Sequence, residues 1–191
     1  MGHDKAFLDI KGEPLIGRQL GVLKNIFKNI IIATNDPQKY TSFKSANPVR
    51  NNFSNGVKIA RDVVLGRGPL GGIYSGLLAS DSFYNFVVAC DMPFINKPLI
   101  KYIIENREDY DVVIPKIGGR IHPLFGVYSK NCIPAIEETL KHDRLEVRSI
   151  FSKVKARFLS RRQIEKFDKN MLSLLNINTP DELRRIKELK A

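Results

Sequence analysis

The chain has 191 residues, room for one domain with a two-layer or three-layer core, and 43% hydrophobic with 27% charged residues is the composition of an ordinary globular protein. No apolar run is long enough to span a bilayer, the first residues lack the pattern of a secretory signal, and Ala6 stands where a myristoylation signal needs Ser or Thr, so a cytoplasmic protein without a membrane partner is expected. The net charge of +11 raises the question of nucleic acid, but the basic residues are scattered, doubled only at Arg161-Arg162 and Arg184-Arg185, with no zinc-finger spacing or stacking-aromatic motif. That pattern fits solvated helix faces or phosphate-rich small ligands.

In chain order, Pro14 can take the first position of a helix whose apolar face is Leu15, Ile16, Leu20, Leu23, Ile26 and Phe27. Ile30–Thr34 is a short branched strand, and Asn35-Asp36-Pro37 turns the chain into a short helix. Val57–Arg61 is the next strand, ending at Asp62; the glycine-rich run from Gly66 to Gly72 then opens a helix through Ser80. Phe86–Cys90 reads as a buried strand that delivers Asp91, with Pro93 ending the ladder.

A helix follows from about Lys97 to Asn106, then a strand Asp111–Pro115, a Gly118-Gly119 turn and the segment Pro123–Tyr128, which can form a hairpin contributing one antiparallel strand. Helices are expected near Ile133–Lys141 and Glu146–Lys153, and a last strand at Ala156–Leu159. Thr179, Pro180 and Glu182 have the cap, first-turn and capping-box positions of a terminal helix. Cys90 and Cys132 fit neither a disulfide framework nor a zinc spacing, and both read as core residues. The alternation of strand and helix predicts a single α/β domain, Rossmann-like and three-layered, with a mostly parallel sheet and one antiparallel strand.

Ligands of such sheets bind beyond the carboxyl ends of the strands. Asp62, the glycine loop and Asp91 all fall there, so they should share one edge. Either carboxylate could instead cap a helix, and the glycine loop could be a tight turn. A buried strand that ends in a lone carboxylate, as at Asp91, also suggests a metal site.

Asp-Lys-Ala-Phe-Leu (4–8), Gly-Glu-Pro-Leu-Ile (12–16), Gly-Pro-Leu-Gly-Gly-Ile (68–73), Cys-Asp-Met-Pro (90–93), His-Pro-Leu (122–124) and Asn-Thr-Pro-Asp-Glu-Leu (178–183) follow one another in an order that resembles the MobA family of molybdenum cofactor guanylyltransferases almost from end to end. The resemblance implies the nucleotide-diphospho-sugar transferase type of fold. It also implies transfer of GMP from GTP to the terminal phosphate of molybdopterin, with release of pyrophosphate. The substrates would be GTP and molybdopterin, and the protein partners other cofactor-biosynthesis proteins or acceptor molybdoenzymes.

By the same resemblance Lys5 would hold triphosphate oxygens and Asp91 would carry Mg²⁺, the two catalytic positions. Asp62 matches a residue on the nucleoside side, able to accept from guanine or ribose, and Gly68, Pro69, Leu70 and Gly71 would shape the base pocket through their backbone. His122, Arg148 and Asn178 match positions near the pterin substrate; read as residues alone, they are equally a strand histidine, a surface charge and a turn residue.

Two departures stand out. The family opens with a strand and a Leu-Ala-Gly-Gly-x-Ser-x-Arg-Met-Gly loop, of which only Met1-Gly2 has a counterpart, so the chain is expected to be N-terminally incomplete relative to the family. That strand is central in a doubly wound sheet, and without it Ile30–Thr34 and Phe86–Cys90 lose a ladder partner. Ala33 lies near a position where some members carry a base-contacting Asn, with Asn35 close by. Cytidylyl transfer to the same cofactor, a non-catalytic nucleotide or pterin module, and a basic nucleic-acid-binding domain are the competing readings.

Overall fold

The structure is a computed structural model that describes residues 5–10, 12–43, 56–179, 182 and 184. A tight turn, Lys5–Phe7, leads into two short paired segments, β1 (Asp9–Ile10) and β2 (Glu13–Pro14), and then α1 (Leu15–Leu23). The Rossmann-like alternation follows: β3 (Asn29–Thr34), β4 (Gly56–Arg61), α2 (Gly68–Ala79), β5 (Tyr84–Val88) and α3 (Lys97–Glu105). The carboxyl half holds β6 (Val112–Ile117), β7 (Arg120–Ile121), β8 (Phe125–Ser129), α4 (Cys132–Lys141), β9 (Ala156–Leu159) and the short α5 (Arg161–Glu165).

β3 and β4 pair in parallel, from Asn29 opposite Gly56 to Thr34 opposite Arg61. In the larger sheet β8 runs antiparallel between β5 and β6, β9 joins β6 in parallel, and β7 folds back on β6 through Gly118-Gly119. The hairpin expected from the sequence is there, and β8 is its antiparallel strand. Gly126 makes this close pairing possible, because a Cβ there would come within 2.3 Å of the Val113 carbonyl and 2.5 Å of Ile114 Cγ2.

Side chains alternate across the sheet and so build two cores. Val113, Phe125 and Val127 face α1 and α3 through Ile16, Leu20, Leu99, Ile100 and Ile103. Val112, Ile114 and Tyr128 face α2 and α4 through Leu70, Ile73, Leu77, Ile136 and Leu140. This is the three-layer arrangement.

Local boundaries differ from the sequence reading in several places. α1 stops at Leu23, with Pro14 at its cap and not in its first turn; Ile26 and Phe27 lie beyond it yet still pack on the core. The pairing with β8 sets β5 two residues earlier than expected, at Tyr84–Val88, and each of its residues is partly exposed. Cys90, past the end of that ladder, is exposed and not a core residue, whereas Cys132 is buried. In place of a helix over Glu146–Lys153 there is a single tight turn, Val147–Ile150. The Thr179–Glu182 capping box forms, each side chain bonded to the other residue's backbone N–H, while Pro180 lies outside the described residues.

Candidate functional site

Three parts of the chain far apart in sequence meet at the carboxyl end of β5. Lys5 reaches out of its tight turn so that Nζ lies 3.4 Å from Asp91 Oδ2 and donates to Asn178 Oδ1 at 2.8 Å. The turn is anchored by the fully buried Ala6 and by Phe7, whose ring lies 5.1 Å from that of Tyr40. Asp91 is held by its backbone, since its carbonyl accepts from Ile177 N at 2.8 Å, and this contact also brings Asn178 into place. Glu182 fixes the other side of Asn178 by accepting its backbone N–H at 2.7 Å.

Asp91 Oδ1 is buried and has no hydrogen-bond partner among the described residues. A buried carboxylate oxygen left open beside a lysine fits a hard divalent cation. No group of three or more His, Cys, Asp or Glu able to hold a metal occurs among the described residues, so any such ion would depend on one or two carboxylates and on substrate oxygens.

Asp62 lies at the end of β4, where its N–H donates to Thr34 O at 3.0 Å. Its Oδ1 is the second buried oxygen without a partner. Burial pushes its carboxyl above the ordinary range, and the Ser75 hydroxyl offsets this only in part. Gly66 and Gly68 take positive φ, 72° and 55°, and so fold the loop tightly into the first turn of α2. Pro69 starts that turn, Leu70 is wholly buried in the core, and Ser75 secures the loop by accepting from Val63 N and donating to Gly71 O. Leu70 can therefore offer a ligand only its backbone.

His122 and Arg148 are not joined to this cluster by any hydrogen bond or ion pair among the described residues. His122 follows β7, is tied to Pro115 O through its N–H, and is held below its ordinary pKa by burial and by Arg120. Arg148 is exposed and pairs with Glu146. A cleft of about 450 Å³ lined by Glu13, Arg18, Gln19, Phe94, Asn96 and Asp168 contains none of the expected site residues.

Sequence reasoning missed Gln19. Its side chain, 3% exposed, donates to Ala89 O at 2.8 Å and Met92 O at 2.7 Å, and so holds the backbone on either side of Asp91. A lone amide on the apolar face of α1 is the signal that could have found it.

Residues 1–158 match the MobA-like NTP transferase domain. A probable molybdenum cofactor guanylyltransferase of Pelotomaculum thermopropionicum is 36% identical over 183 residues, 96% of this chain and 83% of that relative. The chain belongs to the MobA-like NTP transferase family. A second relative in the same family, also named a probable molybdenum cofactor guanylyltransferase, from Peptoclostridium acidaminophilum, is 34% identical over 99% of this chain and 83% of its own length. Among solved structures, the molybdopterin-guanine dinucleotide biosynthesis protein A of Archaeoglobus fulgidus superposes with a TM-score of 0.80, at 23% identity over 98% of this chain and 90% of that one, and shares the fold. No helix among the described residues is long and apolar enough to cross a membrane.

Proposed function

We propose that this protein is a molybdenum cofactor guanylyltransferase: it transfers GMP from GTP to the terminal phosphate of molybdopterin and releases pyrophosphate. The observation that carries the reading is the convergence of Lys5, Asp91 and Asn178 at one strand end, with Asp91 Oδ1 left open, in a chain whose relatives carry that name over nearly its whole length.

Both reacting partners are anionic, so the protein's task is to position them and neutralise charge. Lys5 supplies a cation to the phosphate chain of the nucleotide, held in register by Asn178. Asp91 would hold Mg²⁺ through its open Oδ1; when bound, the ion supplies positive charge to the phosphate oxygens. The half-exposed Asp62 is the natural acceptor for guanine N–H groups or ribose hydroxyls beside the backbone of Gly68, Pro69 and Gly71. His122 and the exposed Arg148 are assigned to the pterin substrate, Arg148 as a phosphate grip once it leaves Glu146.

The test is turnover of radiolabelled GTP with molybdopterin and Mg²⁺, run beside CTP. Guanine dinucleotide and pyrophosphate from GTP, with CTP at least about a hundredfold poorer, is the expected result, because acceptors placed for a purine's donors stay unpaired against cytosine. A preference for CTP would reassign the protein to cytidylyl transfer, and nucleotide binding without turnover would make it a binding module.

A further inference from the structure

The Asp91 side chain has no short hydrogen bond to aim it. Its Oδ2 is 3.4 Å from Lys5 Nζ, and its buried Oδ1 has no partner among the described residues. The direction of the carboxylate is therefore set by the backbone that carries it. That backbone is a tight turn from Ala89 to Met92, whose own closing bond, Met92 N to Ala89 O, is long at 3.4 Å and so holds it weakly.

Gln19 supplies what the turn lacks. Its amide nitrogen has two hydrogens to give, and it donates to Ala89 O at 2.8 Å and to Met92 O at 2.7 Å. Asp91 O accepts from Ile177 N at 2.8 Å, so three peptide planes around Asp91 are pinned, two of them by this single side chain. Gln19 is itself fixed, being 3% exposed in the middle of α1, where Ile16, Leu20 and Leu23 pack into the core. The Met92 side chain is buried in the same core, but its packing does not set the rotation of a peptide plane.

Satisfying two buried carbonyls is by itself a structural role. A further role comes from where the bonds fall, on either side of the one residue whose open oxygen faces the place for a cation. We propose that Gln19 is a positioning residue for that cation: by locking the Ala89–Met92 turn it sets the aim of Asp91 Oδ1 and thereby the affinity for the ion. The inference rests on the GMP-transfer reading, which supplies the ion. Mg²⁺ demands near-ideal octahedral geometry, so a small rotation of its carboxylate is felt as lost affinity. Groups that orient a metal ligand are worth about tenfold to a hundredfold in binding. Both N–H groups of Gln19 are spent on the turn, so it acts through Asp91 and not on substrate.

The test uses the full 191-residue chain and Gln19→Met, which keeps the length of the side chain and removes its donors. Mn²⁺, another ion that prefers hard oxygen ligands, is titrated in with GTP and without molybdopterin, and free ion is read by electron paramagnetic resonance. The Kd for Mn²⁺ should rise by about tenfold or more, while GTP affinity in the absence of metal stays as in the parent. Turnover with molybdopterin should fall at limiting Mg²⁺ and recover at saturating Mg²⁺. Thr139→Val is the structural control, because it deletes an equally buried bond, Thr139 Oγ1 to Ala135 O at 2.7 Å, within α4. It should lower the melting temperature and leave Mn²⁺ affinity unchanged.

If Gln19→Met does not fold, the parent chain decides the matter. Its Gln19 side-chain amide protons should exchange about tenfold more slowly with Mg²⁺ and GTP bound, because a fixed ion and a fixed turn stabilise each other reciprocally. Unchanged exchange there, equal Mn²⁺ affinity in parent and Gln19→Met, or an equal loss in Thr139→Val would overturn the inference and leave GMP transfer standing. A parent that binds no Mn²⁺ with GTP would remove the GMP-transfer reading and this inference together.

Discussion

Lys5 and Asn178 lie 173 positions apart in the chain, yet Nζ donates to Oδ1 at 2.8 Å. The contact joins two distant parts of the chain beside Asp91 and so ties the position of the Lys5 ammonium to the segment that carries Asn178.

Replacing Lys5 by Ala should lower GMP transfer by about a hundredfold, the effect of removing one preorganised charge from a transferring phosphoryl group. Lys5→Arg should not restore it, because a guanidinium fork cannot reproduce a point charge shared by Asp91 and Asn178. Asn178→Ala should reduce turnover less, by about tenfold, since the cation survives without its orienting partner. Steady-state rates with GTP and molybdopterin give the ranking, and equal losses for Lys5→Ala and Asn178→Ala would contradict it.

Asp91→Asn should abolish most Mg²⁺-supported turnover and leave the melting temperature within about 2 °C of the parent. The fixing contact of Asp91 is its carbonyl with Ile177 N, which the substitution keeps, and the ion pair with Lys5 at 3.4 Å is partly solvated and contributes little to stability. An unfolded variant would instead make Asp91 a structural residue, and wild-type turnover would remove it from the mechanism.

Cys90 and Cys132 should differ sharply toward a thiol reagent in the native protein. Cys132 is fully buried, and burial pushes its thiol up to about 12, whereas Cys90 is exposed beside Asp91. One thiol per chain should react before unfolding, and its modification should block GMP transfer by crowding Asp91. Cys90→Ser should retain activity and lose that sensitivity. Native titration of both thiols would contradict the assignment.

The repeating part of the fold was legible because each signal was local. Ile30–Thr34, Val57–Arg61 and Ala156–Leu159 are branched or apolar runs between turn residues, and each is a strand within one residue of its expected bounds. Errors arose where long-range pairing or packing decides. The apolar run through Cys90 gives no reason to stop β5 at Val88, because that end is set by the register with Phe125 in β8. The Glu146–Lys153 segment buries Val147 and Ile150 with a single turn and needs no full helix. α5 was missed although Ser160 and Gln163 form a capping box whose spacing is readable in the sequence. At the site, Asp91 and Asp62 could be placed at strand ends by pattern, but the meeting of Lys5 with Asn178 depends on the whole fold.

Gly126→Ala should be among the most damaging single substitutions. The new methyl would enter the space of the Val113 carbonyl and Ile114 Cγ2, backbone and core atoms with no room to retreat, so overpacking should cost about 3 kcal/mol or more. Urea unfolding should show the loss as a lower midpoint at unchanged slope. A cost under about 1 kcal/mol would mean that β6 and β8 shift apart easily.

Asp62→Asn should raise stability at neutral pH while weakening nucleotide binding. Burial lifts the folded carboxyl's pKa above its ordinary value of 3.8, so the native state holds this proton to higher pH than the unfolded chain. The penalty for ionising it is absent below pH 3.8, grows as pH rises through the folded value, and is complete above it. The amide removes that penalty, and because the side chain is only partly buried, solvent screening limits the gain in melting temperature at pH 7 to about 1–2 °C. At pH 3.5 the two proteins should melt together. If the open Oδ1 accepts from guanine or ribose, the same substitution should raise KM for GTP by about tenfold or more, as expected for a hydrogen bond to a charged group. Melting curves at the two pH values and GTP saturation curves test both halves. A gain that persists at pH 3.5 would contradict the electrostatic origin, and an unchanged KM would take Asp62 out of the nucleoside site.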